Sequence, residues 1–249
     1  MTSVQPSSAD RNADHTPKVV GIVVALPEEL STLTRQKLVQ GECVNLSDNI
    51  LVSYSGAGAD NAQLAAQQLI ARGASHLISW GCAGALATDL KAGDLVLAEQ
   101  VQSHADLIAV DSVWRNHLIT ALNNLPVHGG ILLESQQIVA NSADKQSLQQ
   151  QTGAAAVDME SAAVARVAQA AEKPCLVIRV IADSASFDLP QAVVQSLNSQ
   201  GQVELGKLLI YLVTHLTEIP ALIKLGLHFS AAQKTLKQVT QQLNFIINF

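Results

Sequence analysis

Aromatic residues are scarce in this chain, at 3% of its 249 positions. Alanine, leucine and valine must therefore do most of the packing. Charge is scarce as well: 14% of residues are charged, and the formal net charge is −6. No Lys/Arg block is long enough to form a basic footprint, so DNA or RNA is excluded as a partner. The three cysteines, Cys43, Cys82 and Cys175, stand far apart with no CxxC pair. That spacing argues against a zinc site or a redox dithiol and for buried, reduced thiols in a cytosolic protein. No apolar run approaches the roughly 18 residues of a membrane span. The N-terminus has no basic segment followed by an apolar one, so no signal peptide is expected. What remains is an apolar share of 48% in a length that suits one large α/β domain with a sizeable core.

Residues 1–17 are polar and predict a disordered leader. Val19 to Ala25 is then a continuous apolar run, largely β-branched, as in a strand buried on both faces. Pro27 with Glu28 and Glu29 opens a helix. The alternation continues. Strands are expected at 50–54, 76–80, 94–98 and 175–181, and helices over 61–72, 111–124, from Ser142, and over 158–172. This order predicts an α/β fold: a mixed, largely parallel central sheet flanked by helices on both faces. Residues 18–218 make that domain. Over 219–249, Leu222, Leu225, Phe229, Ala232, Leu236, Val239, Leu243 and Ile246 recur at spacings of three and four, which predicts an amphipathic helical extension.

Two Gly-rich turns follow expected strands: Ser55-Gly56-Ala57-Gly58 and Gly81-Cys82-Ala83-Gly84. The first has Asn61 where a dinucleotide-binding GxGxxG needs its third glycine, and neither has the Lys-Ser/Thr of a P-loop. Both still allow close backbone approach to an oxygen-rich ligand, and both are equally readable as ordinary tight turns. Glu29 and Glu160 stand where helices begin. A helix N-terminus should keep Glu29 ionised, which suits orienting a nucleophile, although either acid could simply compensate a helix dipole. Asp183 ends the most apolar strand, with Ser184 beside it. Ligands of open α/β sheets bind at the carboxyl ends of strands, so Asp183 is placed to donate a proton, or else to cap a turn.

Taken in order, the two Gly-rich turns, Val157-Asp158-Met159-Glu160-Ser161 and Arg179-Val180-Ile181-Ala182-Asp183-Ser184-Ala185 resemble the nucleoside phosphorylase and nucleosidase superfamily. The likeness to 5′-methylthioadenosine/S-adenosylhomocysteine nucleosidases runs from about Lys18 to Leu216. It implies that Met159 and Glu160 hold the ribose hydroxyls, that Asp183 protonates the purine at N7, and that Glu29 activates the attacking water. Ser55, Gly56, Gly58, Gly81, Cys82 and Gly84 would line the nucleoside and phosphate loops, and Val139 and Ser184 the base. A more particular resemblance, to the hopanoid-associated phosphorylases, rests on Val-Val-Ala-Leu-Pro-Glu-Glu near the start, on Ala-Val-Asp-Met-Glu-Ser-Ala-Ala-Val-Ala, and on the tail Ile219 to Gly226. That family is understood to remove adenine from adenosylhopane.

The resemblance implies cleavage of a purine–ribose bond with no metal and no cofactor, and with inorganic phosphate as a candidate co-substrate. One departure bears on that phosphate. The wider superfamily's phosphorylases place an Arg and a Ser around the turn that here reads Ser79-Trp80-Gly81-Cys82. Arg115 or Arg179 would have to substitute. The alternatives are a methylthioadenosine/adenosylhomocysteine nucleosidase, which differs only in the 5′ pocket, and a nucleoside-binding or membrane-associated scaffold without turnover. The expected partners are a small nucleoside, lipid-linked where the hopanoid resemblance holds, and a second copy in a homodimer. The expected location is cytoplasmic, and the stripe over 219–249 is open to three readings: contact with a membrane surface, a lid over the 5′ pocket, or packing on the parent domain or a partner subunit.

Overall fold

The computed structural model describes residues 18–104, 106–196 and 204–243. The leader expected over 1–17, and Phe245, Ile246, Ile247 and Phe249 at the other end, lie outside the described residues. The first half of the chain contains β1 (Val20–Val24), α1 (Pro27–Leu30), β2 (Cys43–Ser47), β3 (Ile50–Tyr54), α2 (Ala59–Ala71), β4 (His76–Ala85), β5 (Leu95–Leu97), β6 (Gln100–Gln102), β7 (Leu107–Ala109) and α3 (Ser112–Ala121). The second half adds β8 (Val127–His128), β9 (Ile131–Glu134), α4 (Ser142–Thr152), β10 (Ala156–Asp158), α5 (Ser161–Ala170), β11 (Cys175–Asp183), α6 (Gln191–Val194), α7 (Leu205–Thr214) and α8 (Ile219–Thr240).

All eleven strands join one sheet, and β4 is its branch point. Its first half pairs in parallel with β1 on one side and β11 on the other, while Gly84 and Ala85 pair antiparallel with β10. From there the sheet continues through β9 and β6 to β7. β1, β3 and β11 are buried at every position, as their unbroken apolar runs require of strands covered on both faces. One core cluster lies on the α2 and α5 side and includes Leu69, Leu77, Val164 and Val177. The other lies on the α3 and α8 side and includes Ile22, Trp80, Trp114, Ile178 and Leu236. With so few aromatics, the two tryptophans are among the largest fully buried side chains.

Four local expectations are corrected. Gly81 to Gly84 is not a turn: β4 runs through it to Ala85. Glycine is needed there for close approach, because a Cβ on Gly81 would lie 2.5 Å from Glu29 Oε1. The helix expected from 158 starts at Ser161, since Val157 and Asp158 extend the sheet as β10. The helix after Pro27 is a single turn. In the C-terminal extension, Ala232, Leu236, Val239 and Leu243 belong to the same cluster as the sheet. That half of α8 is core. Among the described residues no single helix is long and apolar enough to cross a membrane; Gly206–Thr214 and Leu216–Thr240 qualify only together, across a 109° bend.

Candidate active site

Three chain segments deliver acids to the strand ends, and one arginine lies among them. Arg179, in the middle of β11, is 2% exposed. Its Nε donates to Asp158 Oδ2 at 2.8 Å, its Nη2 to Ser79 Oγ at 2.8 Å, and its Nη1 to the Ile178 carbonyl at 3.0 Å. Asp158 closes the end of β10 and also accepts from the Ser161 hydroxyl and backbone N–H. Burial opposes the guanidinium charge, but Asp158, Glu29 and Glu160 more than offset it and hold Arg179 above its ordinary pKa. Arg115 lies elsewhere, paired with Glu99 at 3.1 Å and donating to the Leu97 carbonyl.

Glu29 lies buried beneath the backbone of β4. Its Oε1 accepts from the Cys82 N–H at 2.7 Å and its Oε2 from the Leu26 N–H at 3.1 Å. The helix dipole does not set its charge as expected, because α1 is one turn long. Burial dominates and raises the carboxyl's pKa, with Arg179 and the backbone donors pulling it back. Glu160 is the residue just before α5. Its Oε1 accepts from the Gly58 N–H at 2.8 Å, which ties the first Gly-rich turn to the acid motif across 102 residues. Burial, then the charge of Asp158, pushes Glu160 up to about 8. Met159 beside it is half-buried. Gly56 and Gly58 adopt φ of +78° and +97°, in the left-handed region that favours glycine. Ser55 is buried and turned inward, donating to the Val24 and Gly56 carbonyls.

Asp183 is the last residue of β11. Burial raises its carboxyl pKa, against the pull of Lys145 and His228. A Cβ on Gly84 would lie 3.3 Å from its Oδ2. Glu29 and Asp183 thus meet β4 three residues apart, roughly 10 Å at the usual strand rise. Cys82 stands between them, and burial together with Glu29 keeps its thiol protonated. Val139 packs on a small cluster with Leu133 and Val157, near the acid motif. Ser184 follows Asp183, and its carbonyl accepts from Lys145. No group of three or more His, Cys, Asp or Glu among the described residues is placed to hold a metal ion. A groove of about 470 Å³ runs along α2, lined by Ser55, Gln40, Asn61 and Gln68 and by none of the acids.

The structure therefore brings Glu29, Glu160, Asp183, Gly58, Gly81, Cys82 and Gly84 to one place. It adds Lys145, which sequence reasoning missed, and gives partners to Asp158, Ser79 and Ser161, which stand in the motifs read from the sequence. The one available signal for Lys145 was the inner face of α4, where it shares helical spacing with Leu148 in a helix otherwise rich in Gln and Ser.

A branched α/β sheet that gathers Glu29, Glu160 and Asp183 near its strand ends, with a buried Asp158–Arg179 pair among them, defines a class: the nucleoside phosphorylase and nucleosidase type. The family profile described as "Phosphorylase superfamily" matches residues 19–214, and the chain belongs to that family. It is 30% identical over 197 residues to an aminodeoxyfutalosine nucleosidase of Helicobacter pylori, covering 67% of this chain and 86% of that one. It is 25% identical over 197 residues to the 5′-methylthioadenosine/S-adenosylhomocysteine nucleosidase of Shewanella frigidimarina, covering 70% and 85%. The crystal structure of the Helicobacter pylori 5′-methylthioadenosine/S-adenosylhomocysteine nucleosidase with butyl-thio-DADMe-Immucillin-A matches at TM-score 0.67 and 23% identity, over 93% of this chain and 98% of that one. At that identity the match speaks for the fold.

Proposed function

We propose that the protein hydrolyses the N-glycosidic bond of an adenine nucleoside. The observation that carries this reading is the gathering of Glu29, Glu160 and Asp183, each with a raised proton affinity, beside the same stretch of β4. As the C1′–N9 bond breaks, its electron pair goes to the base and positive charge grows on the sugar. Asp183, whose burial favours the protonated form, gives its proton to N7. Glu160 accepts hydrogen bonds from the ribose hydroxyls and so holds the sugar in place as charge grows on it. A water oxygen bonds to C1′, and Glu29 takes its proton, leaving adenine and the free sugar. Water is preferred to phosphate as nucleophile because Arg179 is committed to Asp158, Ser79 and Ile178, while Arg115 lies away from the acids. The relatives' names point the same way, since both are nucleosidases.

The 5′ substituent we propose is a hydrocarbon, as in adenosylhopane. Ile210, Val213, Leu216, Ile219, Ile223 and Leu227 form an exposed apolar series along α7 and the first half of α8. That half of α8 also reaches the loop behind the acid: the ring of His228 packs edge-on against Phe187 at 5.2 Å, and Lys224 lies over the same ring. An apolar face on the helix that reaches the loop after Asp183 suits a lipid-linked nucleoside at a membrane surface. A second reading, a small nucleoside such as 5′-methylthioadenosine or aminodeoxyfutalosine, is favoured by the names of the two curated relatives. Adenine release from adenosylhopane in liposomes, from 5′-methylthioadenosine and from aminodeoxyfutalosine, each with and without phosphate, tests all of this. Release that depends on phosphate would overturn hydrolysis. Failure with every nucleoside would overturn the whole reading.

A further inference from the structure

Lys145 is fully buried, yet nothing in the chemistry above uses it. A lysine in that position needs strong partners, because an isolated buried ammonium is very costly. It has three. Its Nζ donates to Asp183 Oδ2 in a short contact, to the Phe187 carbonyl at 2.8 Å and to the Ser184 carbonyl at 3.1 Å. The start of α4 and the loop after β11 are sewn together on either side of it. The Ser142 N–H donates to Asp188 Oδ1 at 2.6 Å, and the Leu189 N–H to the Ala140 carbonyl at 2.7 Å. Among the described residues, Asp183 Oδ1 receives no hydrogen bond.

We propose that Lys145 is a positioning residue, whose ammonium grips Oδ2 of Asp183 and so turns Oδ1 toward the leaving base. This rests on the reading of Asp183 as the acid. Two opposed influences then act on the carboxyl: burial favours its protonated form, and the ammonium favours its ionised form. The other groups facing Asp183 are His228 on α8 and Cys82 on β4. With Lys145 present, the acid gives up its proton at a lower pH than burial alone would set. It is therefore a stronger donor to N7 than a carboxyl governed by burial alone.

The test compares the parent with Lys145→Gln and Lys145→Met on an adenine nucleoside that the parent cleaves. Gln removes the charge but keeps a donor for the Ser184 and Phe187 carbonyls. Lys145→Gln should lose about tenfold to hundredfold in kcat, within the range general acid catalysis supplies, with KM little changed. The alkaline limb of kcat/KM, where the acid deprotonates, should move to higher pH. Adding Lys145→Gln to Asp183→Asn should cost much less than it does in the parent, because the partner it acts through is gone. A lowered kcat with an unmoved alkaline limb, or the full loss repeated in the Asp183→Asn background, would overturn the proposal in favour of a purely structural lysine. Carbon-13 NMR of aspartate-labelled protein follows Asp183 without turnover, and its midpoint should rise in Lys145→Gln. That measurement separates failure of this inference from failure of the functional reading. If both variants misfold, the parent alone decides: the Lys145 nitrogen signal must respond at the Asp183 midpoint, and independent titration sinks the idea.

Discussion

Asp183, Glu160 and Glu29 have the same side-chain chemistry and different surroundings, and the surroundings assign the work. Asp183→Asn keeps an acceptor for Lys145 and should fold, but it has no proton for N7. Adenine release should fall by about 10²–10⁴-fold, and a loss within a few-fold would remove Asp183 from the mechanism. Glu29→Gln should be crippling while Glu28→Gln is nearly silent, since Glu28 is exposed and only Glu29 is buried against β4. A larger loss at Glu28 would place the base one residue away. The same three acids couple stability to pH. Burial raises their folded-state proton affinities, so their contribution is fully present below the unfolded values of 4.5 for the glutamates and 3.8 for Asp183. It is lost as pH climbs through the folded values, about 8 for Glu160. Denaturant titrations should show stability falling from about pH 5 to about pH 8.5, with a shallower fall in Glu160→Gln. Stability rising over that window would contradict the assignment. At this scale the acids were legible, because strand ends and helix starts are local signals. Lys145 and Asp158 were not: their partners lie 38 and 21 residues away, and no local pattern marks a buried ion pair.

Among the elements, long apolar strands were legible and short ones were not. β3 falls on the expected residues, and β11 runs two residues further, to Asp183. β2, β6, β7, β8, β9 and β10 went unseen, since two to five residues are too few to carry a usable period. β4 shows another limit. Its glycines read as a turn because the sequence does not reveal that a carboxylate presses against them. The C-terminal stripe was visible, but periodicity cannot say what covers it. Its second half covers the sheet, while Ile223 and Leu227 in its first half are 60% and 66% exposed. The halves should respond differently. Leu236→Ala should destabilise the fold by about 2–5 kcal/mol, as deletion of a fully buried leucine does. Ile223→Ser with Leu227→Ser should leave the melting temperature unchanged and selectively reduce cleavage of a nucleoside presented in liposomes. Equal loss on 5′-methylthioadenosine would sever that face from lipid handling. Truncation after Glu218 cannot make this distinction, because it also removes part of the core.

At the scale of the molecule, the α/β layering was legible because the order of strands and helices determines it, whereas the branching of the sheet at β4 depends on pairings far apart in sequence. The remaining surface bears on assembly. Leu64 is 64% exposed on α2, and Val39 is 66% exposed on the segment between α1 and β2. Grooves of about 470 and 510 Å³ flank α2, the first lined by Gln40, Asn61 and Gln68, the second by Gln63, Gln67 and Arg166. Between Asp60 and Arg72 the helix carries no charged residue at all. A solvated helix face ordinarily carries charge, and interface centres are depleted of it. A second copy of the chain is the occupant we expect, joined about a two-fold axis so that α2 faces its own equivalent. A stable contact of that kind buries roughly 800 Å² per subunit. Sedimentation at micromolar concentration should give twice the chain mass of 26.3 kDa. Leu64→Arg, which puts like charges face to face across the axis, should give the single-chain mass with the fold intact by circular dichroism. A monomeric parent would exclude the dimer, and a dimeric Leu64→Arg would move its interface away from α2.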